Sequence, residues 1–178
     1  MGANRHLGRI IVIQTLYEYE MRKASKDPMA DVDKIMAKNI VPYKEAVTDA
    51  KFVRELVEGV DSHTAELDEI LQPIAPEWPI SSISPIDRNV LRLGLFEMLH
   101  RQDDVPAKVA INEAVELAKM FGSDNSSRFV NGVLGTAYRT LIDPAGQGES
   151  GEKTSKSEPE SKAGEGAKPE QTEEQPLQ

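Results

Sequence analysis

The sequence of 178 residues contains no cysteine and only one tryptophan, and its aromatic residues amount to 5%. Without cysteine there is no disulfide framework, no thiolate nucleophile and no Cys-ligated zinc or iron–sulfur site. This composition fits a reducing compartment, and we expect a cytoplasmic location. The longest apolar run, residues 10–13, is far shorter than a membrane span and has no signal-peptide layout around it. No membrane interaction is expected.

The sequence also has few positively charged residues relative to its acidic ones. The chain has 21 lysines and arginines against 30 acidic residues, which gives a formal net charge of −9. A field of this sign repels phosphate, so the composition excludes a general nucleic-acid binder. Any contact with nucleic acid must therefore be local.

The acidic excess is concentrated at the C-terminus. Residues 143–178 hold nine acidic residues and four lysines, and their only hydrophobic residues are three alanines and Leu177. Such a segment buries too little apolar surface to offset its ordering entropy. We predict a disordered acidic tail over residues 143–178, preceded by a domain over residues 1–142 that is long enough for one hydrophobic core.

Residues 1–142 read as an all-α domain of about six to seven helices. Apolar residues recur at helical spacing, and neither alternating strands nor hairpin turns are evident. A proline-rich linker near residues 73–83 separates two helical subdomains, with Trp78 expected as its anchor in the core. The expected helices are 4–21, 29–40, one from 43–47 with a bend or end at 59–62, one after Ser84-Pro85, one from 103–106 to Gly122, and one from 123–126 to Asp143-Pro144.

One pair of residues has a spacing known from metal sites. Glu97 and His100 form an E-x-x-H pair, as in di-iron carboxylate bundles. Such a site needs a second pair, and the other two histidines, His6 and His63, have no glutamate three positions before them. We therefore interpret the pair as an ordinary helix surface and expect no metal and no cofactor.

Motifs of catalysis are likewise missing. The sequence shows no H-E-x-x-H, no phosphate-binding glycine loop and no serine nucleophile elbow. We predict that the protein is not an enzyme and assign no catalytic residue.

The start of the first helix carries a small cationic cluster. Arg5, His6 and Arg9 fall on one side of a helix. Cations in a first turn oppose the helix dipole, so local stability does not explain them. An anionic partner would explain them. The alternative is a solvated helix end, with a salt bridge to an acidic residue of the chain.

A second candidate region is the segment 121–132. Its polar residues lead into a helix whose first N–H groups are free to bind an anion. Arg128 adds charge, and Phe129 either stacks on a base or packs in the core. Asn131 is expected to be a buried hydrogen-bonding residue, and Gly132 and Gly135 are expected to allow close helix approach.

Taken together, these segments resemble the NusB family of transcription antitermination factors. The resemblance covers about residues 4–142, in order and with sensible spacing. Its strongest block runs from Val105 to Lys119. The other matching blocks are Gln14-Thr15-Leu16-Tyr17, Ile86-Asp87-Arg88-Asn89-Val90-Leu91-Arg92 with Glu97, Phe121-Gly122, and Phe129-Val130-Asn131-Gly132-Val133-Leu134.

The resemblance implies a fold of two helical subdomains and a function in transcription. NusB-like proteins bind the boxA element of ribosomal RNA leader transcripts together with NusE, a small-subunit ribosomal protein. The pair joins other Nus factors on RNA polymerase. By this resemblance the RNA-binding candidates, with His6 added from the cationic cluster, are Arg5, His6, Arg9, Asn125, Arg128 and Phe129; the partner-binding candidates are Asp87, Arg88 and Glu97.

The N-terminal arm, residues 4–9, has fewer arginines than that of many family members. For single-stranded RNA, three or four cationic contacts imply that the logarithm of the affinity falls against the logarithm of the salt concentration with a slope of only about −2 to −3. We therefore expect RNA binding to be cooperative, with a basic partner such as NusE supplying charge and surface. Two alternatives stay open: a protein-interaction module that forms a homodimer, and an RNA-modifying enzyme, since NusB-like domains also precede methyltransferase domains.

Overall fold

The computed structural model describes residues 2–145, with side chains from Asn4 onward. The predicted disordered tail lies outside the described residues from position 146 on. Within residues 2–145 there are seven α-helices and no strands, which confirms the all-α prediction. None of these helices is long and apolar enough to cross a membrane. The helices are α1 (Gly2–Ala24), α2 (Val32–Ile40), α3 (Ala50–Ser62), α4 (Thr64–Ile74), α5 (Pro85–His100), α6 (Ala107–Phe121) and α7 (Ser126–Ala137).

Side-chain caps set several helix starts. Ser84 accepts a hydrogen bond from the Asp87 N–H at 3.1 Å, and Pro85 is the first residue of α5, as the sequence predicted. Two other helices begin later than predicted, because Asp31 caps α2 and Asp49 caps α3. The helix that was expected to bend or end at residues 59–62 ends at Ser62, and α4 follows as a separate helix that meets α3 at His63.

Helix α5 occupies the centre of the fold. It packs against α1, α3 and α4 on one side and against α6 and α7 on the other. Residues 89–98 are all buried, on every side of the helix. A helix buried all round belongs in the interior. One continuous apolar core therefore includes residues from both predicted subdomains.

Glycines allow the close packing around α5, but not at the predicted positions. A Cβ at Gly59 of α3 would overlap the Phe96 ring, and one at Gly94 of α5 would lie 2.6 Å from the Leu134 side chain. In contrast, Gly132 has nothing within 4 Å, and Gly135 has only the Arg139 guanidinium at 3.5 Å. The expectation of close helix approach at Gly132 and Gly135 is therefore wrong.

Two further expectations are corrected by burial. Trp78, predicted to anchor the linker, is 56% exposed. The linker is instead fixed by Ile80 and Ile83, which are buried and join the core. Asn131, expected to be buried, is exposed on α7. In both cases nearby apolar side chains are buried instead: Ile80 and Ile83 in the linker, and Val130 and Val133 on α7.

Candidate nucleic-acid and partner interface

Arg9 lies in the interior of the protein. Its side chain is 3% exposed, and its guanidinium donates to both oxygens of Glu97, with Nε–Oε2 at 2.9 Å and Nη2–Oε1 at 2.7 Å. Burial raises the pKa of the Glu97 carboxyl, and the hydrogen bonds from Arg9 oppose the rise. Because Arg9 is buried, the predicted direct contact of Arg9 with RNA does not fit the structure. The predicted contact of Glu97 with a protein partner does not fit for the same reason. The Glu97–His100 pair is also no ordinary helix surface, because Glu97 points inward.

His6 and Arg5 lie nearer the surface, around the same site. The His6 Nδ1 is 2.7 Å from a carboxylate oxygen of Glu113 on α6, and that oxygen is 3.4 Å from the Arg9 guanidinium. Arg5 is half-buried: its guanidinium donates to the Asp104 carbonyl at 3.2 Å and lies 5.0 Å from the centre of the Phe52 ring. The anion that the cationic cluster required is thus supplied in large part by the protein itself.

A second group of predicted residues surrounds the start of α7. Asn125 and Arg128 are exposed; Asn125 makes no capping bond, and Arg128 has no ion-pair partner among the residues with described side chains. Phe129 is half-buried and packs against the core, as one of its two predicted roles requires, while part of the residue stays accessible. It lines a groove of about 460 Å³ with Trp78, Ser84 and Asn125.

Asp87 lies in the same groove and is largely buried. The residue is 9% exposed, and its Oδ1 has no hydrogen-bond partner among the described residues. Asp87 stands in the first turn of α5, where the helix dipole favours an anion. A buried carboxylate oxygen without a partner is costly, and a cationic or N–H donor entering the groove would remove that cost.

Arg88, the neighbouring partner-binding candidate, is occupied within the fold. Its guanidinium donates to Glu20 of α1 at 2.6 Å and to the carbonyls of Ile80 and Ile83 at 3.0 Å. It therefore ties the linker to α1. A direct partner contact from Arg88 does not fit these bonds.

The candidate residues form two groups in the structure, and each group contains both RNA-binding and partner-binding candidates. Arg5, His6, Arg9 and Glu97 gather at the C-terminal end of α5, and we name this group the N-terminal cluster. Asp87, Asn125 and Phe129 gather with Trp78 at the other end, and we name this group the α7 groove. Asp87 and Glu97 are ten residues apart on one helix, which corresponds to about 15 Å.

The sequence did not indicate Glu113, which contacts the N-terminal cluster, or the place of Trp78 in the α7 groove. Glu113 belongs to the block that carried the resemblance, but its role needs the packing of α6 on α1, to which the sequence gives no local clue. Trp78 is the one tryptophan of the chain and stands in a linker of three prolines. A large aromatic residue between two prolines, Pro76 and Pro79, was a signal for a site outside the core.

Comparison with protein families identifies one match. Residues 6–139 match the model of the NusB family. A protein of Myxococcus xanthus named transcription antitermination protein NusB is 46% identical over 144 residues, which cover 81% of this chain and all of that protein. A protein of the same name from Dehalococcoides mccartyi is 40% identical over 149 residues, or 84% of this chain and 99% of that protein.

Solved structures show the same fold. T. maritima NusB superposes with a TM-score of 0.65 at 30% identity and covers 74% of this chain and 88% of that one. A further structure, described as antitermination factors NusB and NusE in complex with dsRNA, has a TM-score of 0.67 at 23% identity and covers 79% of this chain and 99% of that one.

Proposed function

The chain belongs to the NusB family, a family of transcription antitermination factors and not of enzymes, and from this premise we propose its molecular role. It binds boxA RNA of ribosomal RNA leader transcripts cooperatively with the ribosomal protein NusE. The pair then joins other Nus factors on RNA polymerase, in the cytoplasm. The observation that carries the proposal is the α7 groove, which combines a free amide, two aromatic rings and an unsatisfied carboxylate. The exposed Arg128 guanidinium lies beside it, in a neighbouring cavity that Trp78 and Phe129 also line.

RNA contacts come from Arg128, Asn125 and Phe129. The Arg128 guanidinium is free to bind a phosphate, the Asn125 amide offers both a donor and an acceptor, and the Phe129 ring borders an open groove. Stacking of one base on an aromatic ring contributes roughly 1–3 kcal/mol. Arg5, which the Asp104 carbonyl and the Phe52 ring hold near the surface, extends the RNA path at the N-terminal cluster.

The partner contact centres on Asp87. Its free carboxylate oxygen suits a lysine or arginine of NusE and disfavours a phosphate. A partner cation there also lowers the negative potential beside Arg128, so RNA binds more readily when the partner is present. By linkage, RNA then tightens NusE binding by the same factor.

The test is fluorescence anisotropy of a labelled boxA RNA titrated with this protein, with NusE and with both, at two salt concentrations. We expect tight binding only with both proteins. The Arg128→Ala and Phe129→Ala variants should each weaken binding by the pair at least about fivefold. Arg54→Ala is the matched control, since it removes an exposed arginine on α3 that pairs with Asp33.

A separate titration without RNA distinguishes the partner contact from the RNA contact. Asp87→Asn should weaken the association with NusE measured by calorimetry without RNA, whereas Arg128→Ala should leave it unchanged. No gain from adding NusE would contradict the proposal. A stable dimer in sedimentation that ignores RNA would instead favour the homodimeric interaction module.

A further inference from the structure

We propose that His63, Glu66 and His100 form a binding site for a divalent first-row transition metal, with Zn²⁺ as the reference ion. The three side chains come from the junction of α3 and α4, from α4 itself and from the end of α5. Their metal-binding atoms all lie within 4.8 Å of one another. The site shares no residue with the N-terminal cluster or the α7 groove, so the proposal does not rest on RNA or NusE binding.

The set of donor groups suits such an ion. Two imidazoles and one carboxylate are the ligands of many zinc sites, and imidazole also binds Cu²⁺ and Ni²⁺. The His100 Nε2 is 3.7 Å from a Glu66 oxygen. A tetrahedral zinc ion with bonds of about 2.0–2.1 Å holds its ligand atoms about 3.3 Å apart. The exposed Glu66 and His100 side chains need only small rotations to reach that spacing.

The hydrogen bonds of His63 prepare its ring for a metal. Its Nδ1 lies 2.8 Å from the Gly59 carbonyl, which can only accept, so the proton is on Nδ1. The lone pair is then on Nε2. Histidines that bind metals commonly donate their other nitrogen to a carbonyl in this way, which fixes the tautomer and the ring direction.

The aromatic surroundings hold the two imidazole rings together. The His63 and His100 ring centres are 4.6 Å apart, and the buried Phe96 ring stacks on His100 at 5.0 Å. Phe96 shields one side of the cluster from water, while the other side is open to solvent. Three protein ligands with an open side leave room for water as a further ligand.

The fold brings these residues together in a way that the sequence pattern hides. His100 belongs to the E-x-x-H pair, but Glu97 points into the core toward Arg9, so the pair itself holds no metal. The carboxylate comes instead from Glu66, 34 positions earlier. A bound ion would join the junction of α3 and α4 to the end of α5.

The test is calorimetric titration of the full chain with ZnCl₂, together with the visible absorption of added Co²⁺, which reports imidazole coordination. We expect one ion per chain. Affinity should fall at least about tenfold in His100→Gln and in Glu66→Gln. Zn²⁺ should raise the thermal midpoint of the wild type but not of these two variants. Both residues are exposed, and far-UV circular dichroism would verify that the variants fold.

Two control variants separate this site from others. His6→Gln removes the one histidine outside the cluster, and Glu69→Gln removes an exposed carboxylate on α4. Both should bind Zn²⁺ like the wild type. The proposal is overturned if no stoichiometric binding occurs. It is equally overturned if binding survives in His100→Gln and Glu66→Gln, which would place the ion on carboxylates elsewhere.

Discussion

At the scale of single residues, the buried Arg9–Glu97 pair explains why a cation occupies the start of α1. The sequence indicated correctly that Arg9 needs an anion, but that anion is within the protein, 88 positions along the chain. No local pattern reports a contact at such a distance. The positions of the exposed Arg128 and Asn125 at a helix start could be predicted, because the polar segment that precedes a helix is a local pattern.

The Arg9–Glu97 pair gives a prediction about stability. Glu97→Gln leaves the buried guanidinium with only Glu113, at 3.4 Å, so we expect a loss of about 3–5 kcal/mol in the free energy of unfolding. The double variant Arg9→Met/Glu97→Leu removes both charges and should recover most of that loss. Urea denaturation measures both. If the single and double variants lost the same free energy of unfolding, the unpaired buried charge would not be the cause of the loss.

At the scale of elements, the central position of α5 depends on close contact with its neighbours. The sequence predicted that α5 exists and where it starts, because Ser84 and Pro85 are local signals. It did not predict which glycines allow the contacts, since Gly59 and Gly132 both stand within helical patterns. Their difference depends on whether a neighbouring helix lies over them, which is a tertiary property.

These two glycines form a matched pair for mutation. Gly59→Ala should destabilise the protein by about 1–3 kcal/mol, because its Cβ overlaps the Phe96 ring. Gly132→Ala should be neutral or stabilising by up to about 1 kcal/mol, because alanine favours the helix and meets no atom. Thermal unfolding of both variants tests this. Similar shifts in both would mean that α3 and α5 are not in close contact in solution.

At the scale of the whole molecule, ion pairs between helices set the response to acid. Arg101, at the end of α5, donates to Glu55 of α3 at 2.7 Å and holds the pKa of that carboxyl below its ordinary value of 4.5. The hydrogen bond from Lys38 likewise lowers the pKa of the Glu18 carboxyl. The folded state therefore binds these protons less tightly than the unfolded chain. Their contribution is present above about pH 4.5 and is lost as the pH falls further.

We expect Glu55→Gln to flatten the dependence of unfolding free energy on pH between about pH 5 and 3. Glu69→Gln, which removes an exposed carboxylate without an ion-pair partner in residues 4–145, is the control and should follow the wild type. The measurement is chemical denaturation at a series of pH values. Parallel curves for all three proteins would show that the pair between α3 and α5 adds nothing.

Charge across the whole molecule also predicts the salt dependence of RNA binding. Arg9 is buried and His6 is paired, so only Arg5 and Arg128 remain as accessible cations among the six RNA-binding candidates. For this protein alone we expect a slope of log affinity against log salt of about −1 to −2. Adding NusE should make the slope steeper. Anisotropy titrations at several salt concentrations measure it, and a slope below −3 would mean that further cations reach the RNA.

The exposed Trp78 beside Phe129 has a practical consequence. It is the one tryptophan of the chain, so its emission comes from a single known place, the rim of the α7 groove. A base or a partner side chain that binds there would change the wavelength and intensity of the Trp78 emission. The intrinsic fluorescence of Trp78 therefore allows the binding of RNA or a partner at the α7 groove to be measured on the unlabelled protein.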